Sequence, residues 1–117
     1  MGLYRVRAGS GGRAAVKSEA MSKTDLITGE ALHARAAALP DWKVEEDRRL
    51  SKTFRFPDFQ TALDFVNRVG VAAEELGHHP DLHLSWGRVE AITWSHDAGG
   101  ITERDFALAV RMDQAFR

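Results

Sequence analysis

Histidine supplies the residues of this chain that are best suited to chemistry near neutral pH. Four of the five histidines lie between His78 and His96, and two of them are adjacent in His78-His79-Pro80. His96 stands before Asp97 and a short loop that contains two adjacent glycines. An unperturbed imidazole titrates at about pH 6.5, so several imidazoles in one place suit proton transfer between a protein and its substrate. We therefore expect His78, His79 and His96 to converge on a proton-transfer site.

The residues around these histidines indicate how the imidazoles are positioned. Glu74 lies one helical turn before His78, and we expect its carboxylate to orient that imidazole. Pro80 disfavours helical geometry for His79, and the glycines of the later loop would let a ligand approach the backbone closely. His33 is isolated in the first half of the chain, and we interpret it as a structural or surface residue.

A metal site is the alternative chemistry that the histidine spacing leaves open. His79 and His83 are four residues apart, and His78 and His96 are near them in the sequence. Pro80 argues against a helix through the first pair, and in a strand two side chains at this spacing stand more than ~12 Å apart. The chain also has no His-Glu-x-x-His pattern and no cysteine. We therefore expect no bound metal and no other cofactor.

The periodicity of the apolar residues predicts the elements that must position these side chains. Alternation predicts strands, repetition every three or four residues predicts helices, and Gly77 is placed to end the central helix in left-handed geometry. The sequence Thr102-Glu103-Arg104-Asp105 resembles a capping box with Asp in the place of the usual Glu. In chain order the predicted elements are a helix over Thr28 to Leu39, strands over Trp42 to Val44 and Leu50 to Phe56, a helix over Phe59 to Leu76, strands over Leu82 to Trp86 and Val89 to His96, and a helix from Thr102.

The order of these elements, α-β-β-α-β-β-α, predicts an α+β fold in which helices pack on one face of a four-stranded antiparallel sheet. The other face and the edge strands would then need cover, so we expect a homodimer or homotetramer. Trp86 and Trp94 are expected to lie in the core or in an interface. The predicted buried residues are Phe59, Leu63, Val66, Val69, Ala73 and Leu76 on the central helix, and Phe106, Ala109, Met112 and Phe116 on the last helix.

The composition is that of one ordinary globular domain. The chain has 117 residues, of which 44% are hydrophobic and 28% charged, and its net charge is −1. It therefore carries no basic field to hold nucleic acid, and no apolar run approaches the ~18 residues of a membrane span. Four of the ten glycines and four basic residues lie within residues 1–20. We predict a flexible extension over residues 1–24, a domain over residues 25–117, and a cytoplasmic location.

One spacing pattern joins the candidate residues into a longer motif. An acidic residue, a His-His-Pro triplet, an aromatic residue, a third histidine and an aspartate follow at fixed separations, here Glu74, His78-His79-Pro80, Trp86, His96 and Asp105. This motif resembles the signature of the pterin-4a-carbinolamine dehydratase family. The first half of the chain is similar as well, in Trp42, the stretch Phe54-Arg55-Phe56-Pro57-Asp58-Phe59, Ala62 and Phe65. The resemblance covers about residues 26–117.

The resemblance implies a small α+β hydro-lyase, a 4a-hydroxytetrahydrobiopterin dehydratase. Such an enzyme converts a 4a-hydroxytetrahydropterin to quinonoid dihydropterin and water, in tetrahydrobiopterin recycling, without a metal or another cofactor. The resemblance places His78, His79 and His96 around the pterin, Pro80, Ser95 and Asp97 beside it, and Glu74 and Asp105 behind the histidines. We assign His78 and His96 as the acid–base pair, and His79 to binding and orientation.

The same resemblance leaves a second kind of function open. Some members of the family also act as dimerisation cofactors for a homeodomain transcription factor, so a protein-interaction module on the same fold is the alternative. The intact set of three histidines favours the enzyme. The expected partners are the pterin substrate and further copies of the chain, and neither nucleic acid nor a membrane.

Overall fold

The computed structural model describes Ser22 and residues 24–117, so the predicted extension lies almost wholly outside the described residues. Three helices and four strands occur there in the predicted order. Their bounds are α1 Gly29–Ala37, β1 Lys43–Glu45, β2 Arg49–Arg55, α2 Phe59–Leu76, β3 Asp81–Ser85, β4 Arg88–Thr93 and α3 Glu103–Phe116. The strands pair antiparallel in the order β1-β2-β4-β3. The predicted α+β fold is confirmed.

Alternation along the strands divides the sheet into an apolar face and a polar face. Leu50 and Phe54 of β2 and Val89 of β4 are buried beneath the helices. On the opposite face, the partly exposed Glu90 of β4 pairs in register with the exposed His83 of β3. The helices therefore cover one face of the sheet, as predicted. The homo-oligomer that was expected to cover the other face stays a prediction.

Local signals hold helix α2 at both ends. The Asp58 carboxylate accepts a hydrogen bond from the Thr61 N–H at 2.9 Å at the start of the helix. Gly77 ends the helix as predicted, with a left-handed φ of 65° that most other residues would adopt only with strain. Neither this 18-residue helix nor any other helix in the described part of the chain combines the length and the apolar character needed to cross a bilayer.

The buried face of α2 differs in part from the predicted one. Its core-facing residues are Ala62, Phe65, Val69, Ala72 and Ala73. Phe59 and Leu76, which the pattern predicts to be buried, are exposed. The helix is turned so that Phe65 enters the core, where its ring centroid lies 4.6 Å from that of Phe54. Burying Phe59 and Leu76 instead would rotate this large ring out of the aromatic cluster.

Besides Phe59, two other aromatic residues that were predicted to pack in the core or an interface are exposed. Trp86, in the turn between β3 and β4, is 69% exposed, so its predicted core position is wrong and only the interface interpretation remains. Phe116, near the end of α3, is 43% exposed although its ring centroid lies 5.2 Å from that of Phe54. The other predicted residues of α3 are buried, namely Phe106, Ala109 and Met112.

The end of β4 also differs from the prediction, and the difference concerns a candidate histidine. The pattern predicts a strand as far as His96, but β4 ends at Thr93, where pairing with Leu50 of β2 stops. Ser95 and Gly100 then pair with each other across a loop, and the Ser95 N–H donates to the Gly100 carbonyl at 2.7 Å. His96 therefore lies inside a short closed loop and not at the end of a strand.

Candidate active site

A fully buried carboxylate stands at the centre of the candidate site. Asp105, in the first turn of α3, is 0% exposed, and each of its oxygens accepts two hydrogen bonds. Its Oδ1 accepts from His78 Nε2 at 2.6 Å and from the Thr93 hydroxyl at 2.5 Å. Its Oδ2 accepts from the Ser95 hydroxyl at 2.8 Å and from the Thr102 N–H at 2.9 Å. We call these five residues the Asp105 cluster. All four acceptor positions of the carboxylate are used.

Short-range geometry brings three of the cluster residues to the carboxylate. Thr102 and Asp105 form the predicted capping box, in which the Thr102 side chain accepts from the backbone and Asp105 accepts from the Thr102 N–H. Ser95 is held by its pairing with Gly100, and its hydroxyl also bonds the Thr102 hydroxyl at 2.8 Å. The helix cap and the loop after β4 are thus tied to one carboxylate.

His78 is the candidate histidine that the cluster holds directly. The left-handed Gly77 turns the chain out of the α2 helix, and the His78 N–H then donates to the Ala73 carbonyl at 3.1 Å. The His78 side chain is 10% exposed, and its Nε2 is hydrogen-bonded to Asp105 Oδ1. Because an ionised carboxylate only accepts hydrogen bonds, the contact requires a proton on Nε2. Among the described residues, the second ring nitrogen, Nδ1, has no hydrogen-bond partner.

Glu74 contacts His79 instead of His78, so its predicted partner was wrong. The distance from Glu74 Oε2 to His79 Nε2 is 2.5 Å. The prediction assumed that helical spacing continues from Glu74 to His78, but Gly77 breaks the helix between them. The break directs His78 inward and leaves His79 outside, where both members of the new pair are exposed. Pro80 follows, half-buried, before β3.

His96 is exposed and is held by an aromatic side chain. Its ring is stacked on Trp94, with the centroids 3.8 Å apart and the planes at 26°. The Arg49 guanidinium lies over the same Trp94 ring, 5.5 Å from its centroid. Trp94 is predicted only to lie in the core or in an interface, and its contact with His96 is not part of that prediction. The signal was present, because residues two apart on an extended chain face the same side.

Asp97, the next residue of the loop, is tied to α3. Its carboxylate accepts a hydrogen bond from Arg104 Nη2 at 2.7 Å. This hydrogen bond, together with the positive charge of Arg104, holds the pKa of the Asp97 carboxyl below its ordinary value. The loop that carries His96 is therefore fastened at Ser95 by the cluster and at Asp97 by an ion pair.

The structure thus brings the end of α2, the loop after β4 and the start of α3 to one place. His33 and His83 stay outside it, exposed on α1 and β3. Within Ser22 and residues 24–117, no group of three or more His, Cys, Asp or Glu side chains is arranged to hold a metal ion. A cavity of about 370 Å³ lies elsewhere, and its lining includes Lys52 and Asp113 but none of the histidines.

Comparison with known proteins identifies the family. The family model described as pterin 4 alpha carbinolamine dehydratase matches residues 25–115. The chain belongs to this family. A Rubrobacter xylanophilus protein that carries the family's name is 47% identical over 88 residues, which are 75% of this chain and 82% of the relative. A Chlorobium limicola protein of the same name is 53% identical over 76 residues, 62% of this chain and 67% of the relative.

Solved structures agree with this assignment. A crystal structure from Brucella melitensis, titled a transcriptional coactivator/pterin dehydratase, matches 80% of this chain and 100% of its own with a TM-score of 0.76 and 29% identity. A pterin dehydratase-like protein, titled a RuBisCO assembly factor in the alpha-carboxysome, matches 65% of this chain and 89% of its own. Its TM-score is 0.56 at 23% identity, so it bears on the fold alone. The dehydratases of the family are hydro-lyases, and this chain is an enzyme of that class.

Proposed function

We propose that this dehydratase converts a 4a-hydroxytetrahydropterin to quinonoid dihydropterin and water by histidine acid–base catalysis, as a step in tetrahydrobiopterin recycling. The observation that carries the proposal is the contact between His78 and the buried Asp105 carboxylate. It fixes one ring nitrogen inside the protein and leaves the other for a substrate. A histidine held in this way can donate or accept a proton from a defined position.

The reaction needs two proton transfers at one flat ring. The bond between C4a and the hydroxyl oxygen breaks, and hydroxide is a poor leaving group, so an acid must protonate it. A ring nitrogen loses its proton to a base while the carbon–nitrogen double bond forms. Each positioned acid or base contributes about 10²–10⁴-fold in rate. A pair of imidazoles, one protonated and one neutral, supplies both transfers.

His78 and His96 are the proposed pair. With Nε2 bonded to Asp105, His78 offers a lone pair at Nδ1 when neutral and an N–H there when protonated. The His96 ring is restrained by its stack on Trp94 and remains exposed, so its edge is free to exchange a proton. The two histidines are thus held by different means, one by a hydrogen bond and one by stacking.

The remaining candidate residues are proposed to bind the pterin or to position the acid–base pair. His79, oriented by Glu74, is proposed to bind the ring, with Pro80 beside it. Asp97 is fixed by Arg104 at the edge of the loop and is proposed to contact the substrate there. The Ser95 side chain is buried on Asp105, so we propose that it supports the carboxylate instead of touching the pterin directly.

Turnover of a freshly generated 4a-hydroxytetrahydropterin, followed against its spontaneous dehydration, tests the proposal. The wild type should accelerate dehydration, and His78→Ala and His96→Ala should each lower kcat by about 100-fold or more. His79→Ala should act mainly on KM, because a binding role applies to ground and transition states alike. His83→Ala, which removes an exposed histidine of β3, is the control and should be nearly silent. A wild type no faster than the uncatalysed reaction would refute the function.

A homodimer or homotetramer is part of the proposal. Within the described residues, β3 is an edge strand of the sheet, and the neighbouring Trp86 is 69% exposed. A second copy of the chain that covers this strand and this side chain would remove an exposed sheet edge and an exposed apolar surface together. Sedimentation of the purified protein measures the assembly, and a monomer at micromolar concentration would contradict it. A protein-interaction role is the alternative, as in the Brucella melitensis protein described as a transcriptional coactivator/pterin dehydratase, and the absence of turnover would favour it.

A further inference from the structure

One member of the Asp105 cluster has no place in the family motif or in the proposed chemistry. Thr93 is the last residue of β4, is 0% exposed and points to the helix side of the sheet, where Val89 and Ala91 are apolar. A valine would have nearly the same shape there without the cost of burying a hydroxyl. The Thr93 hydroxyl is bonded to Asp105 Oδ1 at 2.5 Å, the same oxygen that holds His78.

We propose that Thr93 is a positioning residue that sets the proton affinity of His78 through the shared oxygen of Asp105. The inference rests on the proposed function for its purpose, because it concerns the strength of the proposed acid–base group. A hydroxyl that donates to Oδ1 draws negative charge from the oxygen that faces the imidazole. The protonated form of His78 is then stabilised less, and the ring releases its proton more readily.

Three charged groups on the helices that meet at His78 have partners other than His78. Glu74, on the last turns of α2, bonds His79. Arg104, at the start of α3, bonds Asp97. Glu103 in the same turn bonds Arg35 of α1. None of these pairs includes Thr93, so a substitution there changes the surroundings of His78 through Asp105.

The inference predicts a graded response in a series of substitutions at one site. Thr93→Ser keeps a hydroxyl, Thr93→Cys offers a weak thiol donor, and Thr93→Val offers none. We expect the NMR titration midpoint of His78 in Thr93→Ser to match the wild type. In Thr93→Val it should move up by about half a pH unit to one pH unit, a three- to tenfold change in proton affinity. The midpoint of Thr93→Cys should lie between them.

Thr53→Val is the matched control, because Thr53 is an exposed threonine on the opposite face of the neighbouring strand β2. Its midpoint should equal that of the wild type. Equal midpoints for Thr93→Val and Thr53→Val would overturn the inference. If Thr93→Val fails to fold, the Thr93→Cys and Thr93→Ser variants decide in the same way. A purely structural role would lower the melting temperature without moving the midpoint.

The titration uses the protein without pterin, which separates this inference from the proposed function. A wild type that does not dehydrate pterins, combined with a graded midpoint, would refute the function and leave the coupling of Thr93 to His78 intact. Turnover that depends on His78, combined with an unchanged midpoint in Thr93→Val, would support the function and refute the coupling of Thr93 to His78. Where both hold, the limb of the kcat profile that reports His78 should move up with the midpoint.

Discussion

Asp105→Asn should leave the fold intact and remove most of the activity, because it moves the His78 ring proton from Nε2 to Nδ1. The amide must place its NH₂ on one of the two former oxygen positions. The Thr102 backbone N–H at 2.9 Å can only donate, so the amide oxygen must stay on that side. The NH₂ then faces Thr93 and His78. The Thr93 hydroxyl can rotate to accept, and His78 Nε2 must become an acceptor, which moves the ring proton to Nδ1.

The magnitude follows from the loss of the required tautomer. Either role of His78 would be impaired, because the neutral ring would present an N–H at Nδ1 instead of a lone pair, and the carboxylate that stabilises the protonated ring would be gone. We expect kcat to fall by about 10²–10⁴-fold, the scale of one misplaced general catalyst. The free energy of unfolding should fall by about 1–3 kcal/mol, because one strong acceptor of buried hydrogen bonds is replaced by a weaker one.

Steady-state turnover, thermal melting and ¹⁵N NMR of the histidine rings together check this prediction. Asp113→Asn is the matched control, since Asp113 lies further along α3 and accepts from the Trp42 indole and from Lys52. It should lower stability while keeping kcat within about twofold. The reasoning would be refuted if Asp105→Asn carried its His78 proton on Nδ1 and still turned over at the wild-type rate.

Three further substitutions test the surroundings of the site. Trp94→Ala should lower kcat by about three- to tenfold, because the His96 ring loses the stacked ring that orients it, and this is the free energy of one aromatic contact. Trp94→Phe keeps an aromatic ring and should retain most of the activity. Glu74→Gln should raise KM and leave kcat nearly unchanged, because this carboxylate bonds the ring-binding histidine and neither member of the acid–base pair. Arg104→Gln should flatten the dependence of stability on pH in the acid range. The pKa of Asp97 is lowered in the folded state, so the ion pair with Arg104 contributes stability above the pKa of the unfolded chain. This stability is lost as the pH falls through the pKa of the folded state. Denaturation at several pH values measures the effect.

Local signals in the sequence predicted much of the fold. The left-handed Gly77 and the capping box at Thr102 each depend on a few consecutive residues, and both occur as predicted. The rotation of α2 was not predictable in the same way. It depends on how Phe65 meets aromatic rings from β2 and α3, and a helical repeat with two nearly equal apolar faces does not decide between them.

The contacts of the site were less predictable than its residues. His78 and Asp105 were both candidates, but they are 27 residues apart, and the pairing between them depends on how α2 and α3 pack. Glu74 shows the limit of a spacing argument. Residues four apart meet only while the helix continues, and the same glycine that correctly predicted the end of α2 also removed the geometry that the pairing with His78 required.

The unusual residue in the capping box connects the fold to the chemistry. A capping box commonly has Glu at the third helical position, where a long side chain reaches back to the cap. Here Asp105 reaches the Thr102 N–H with one oxygen, and its short side chain keeps the other oxygen within 2.6 Å of His78. A longer glutamate could cap the helix equally well, but its carboxylate would lie at a different depth from the strand hydroxyls and the imidazole. The contact with His78 therefore explains why this capping box has Asp instead of Glu, since the same carboxylate caps α3 and holds the His78 proton on Nε2.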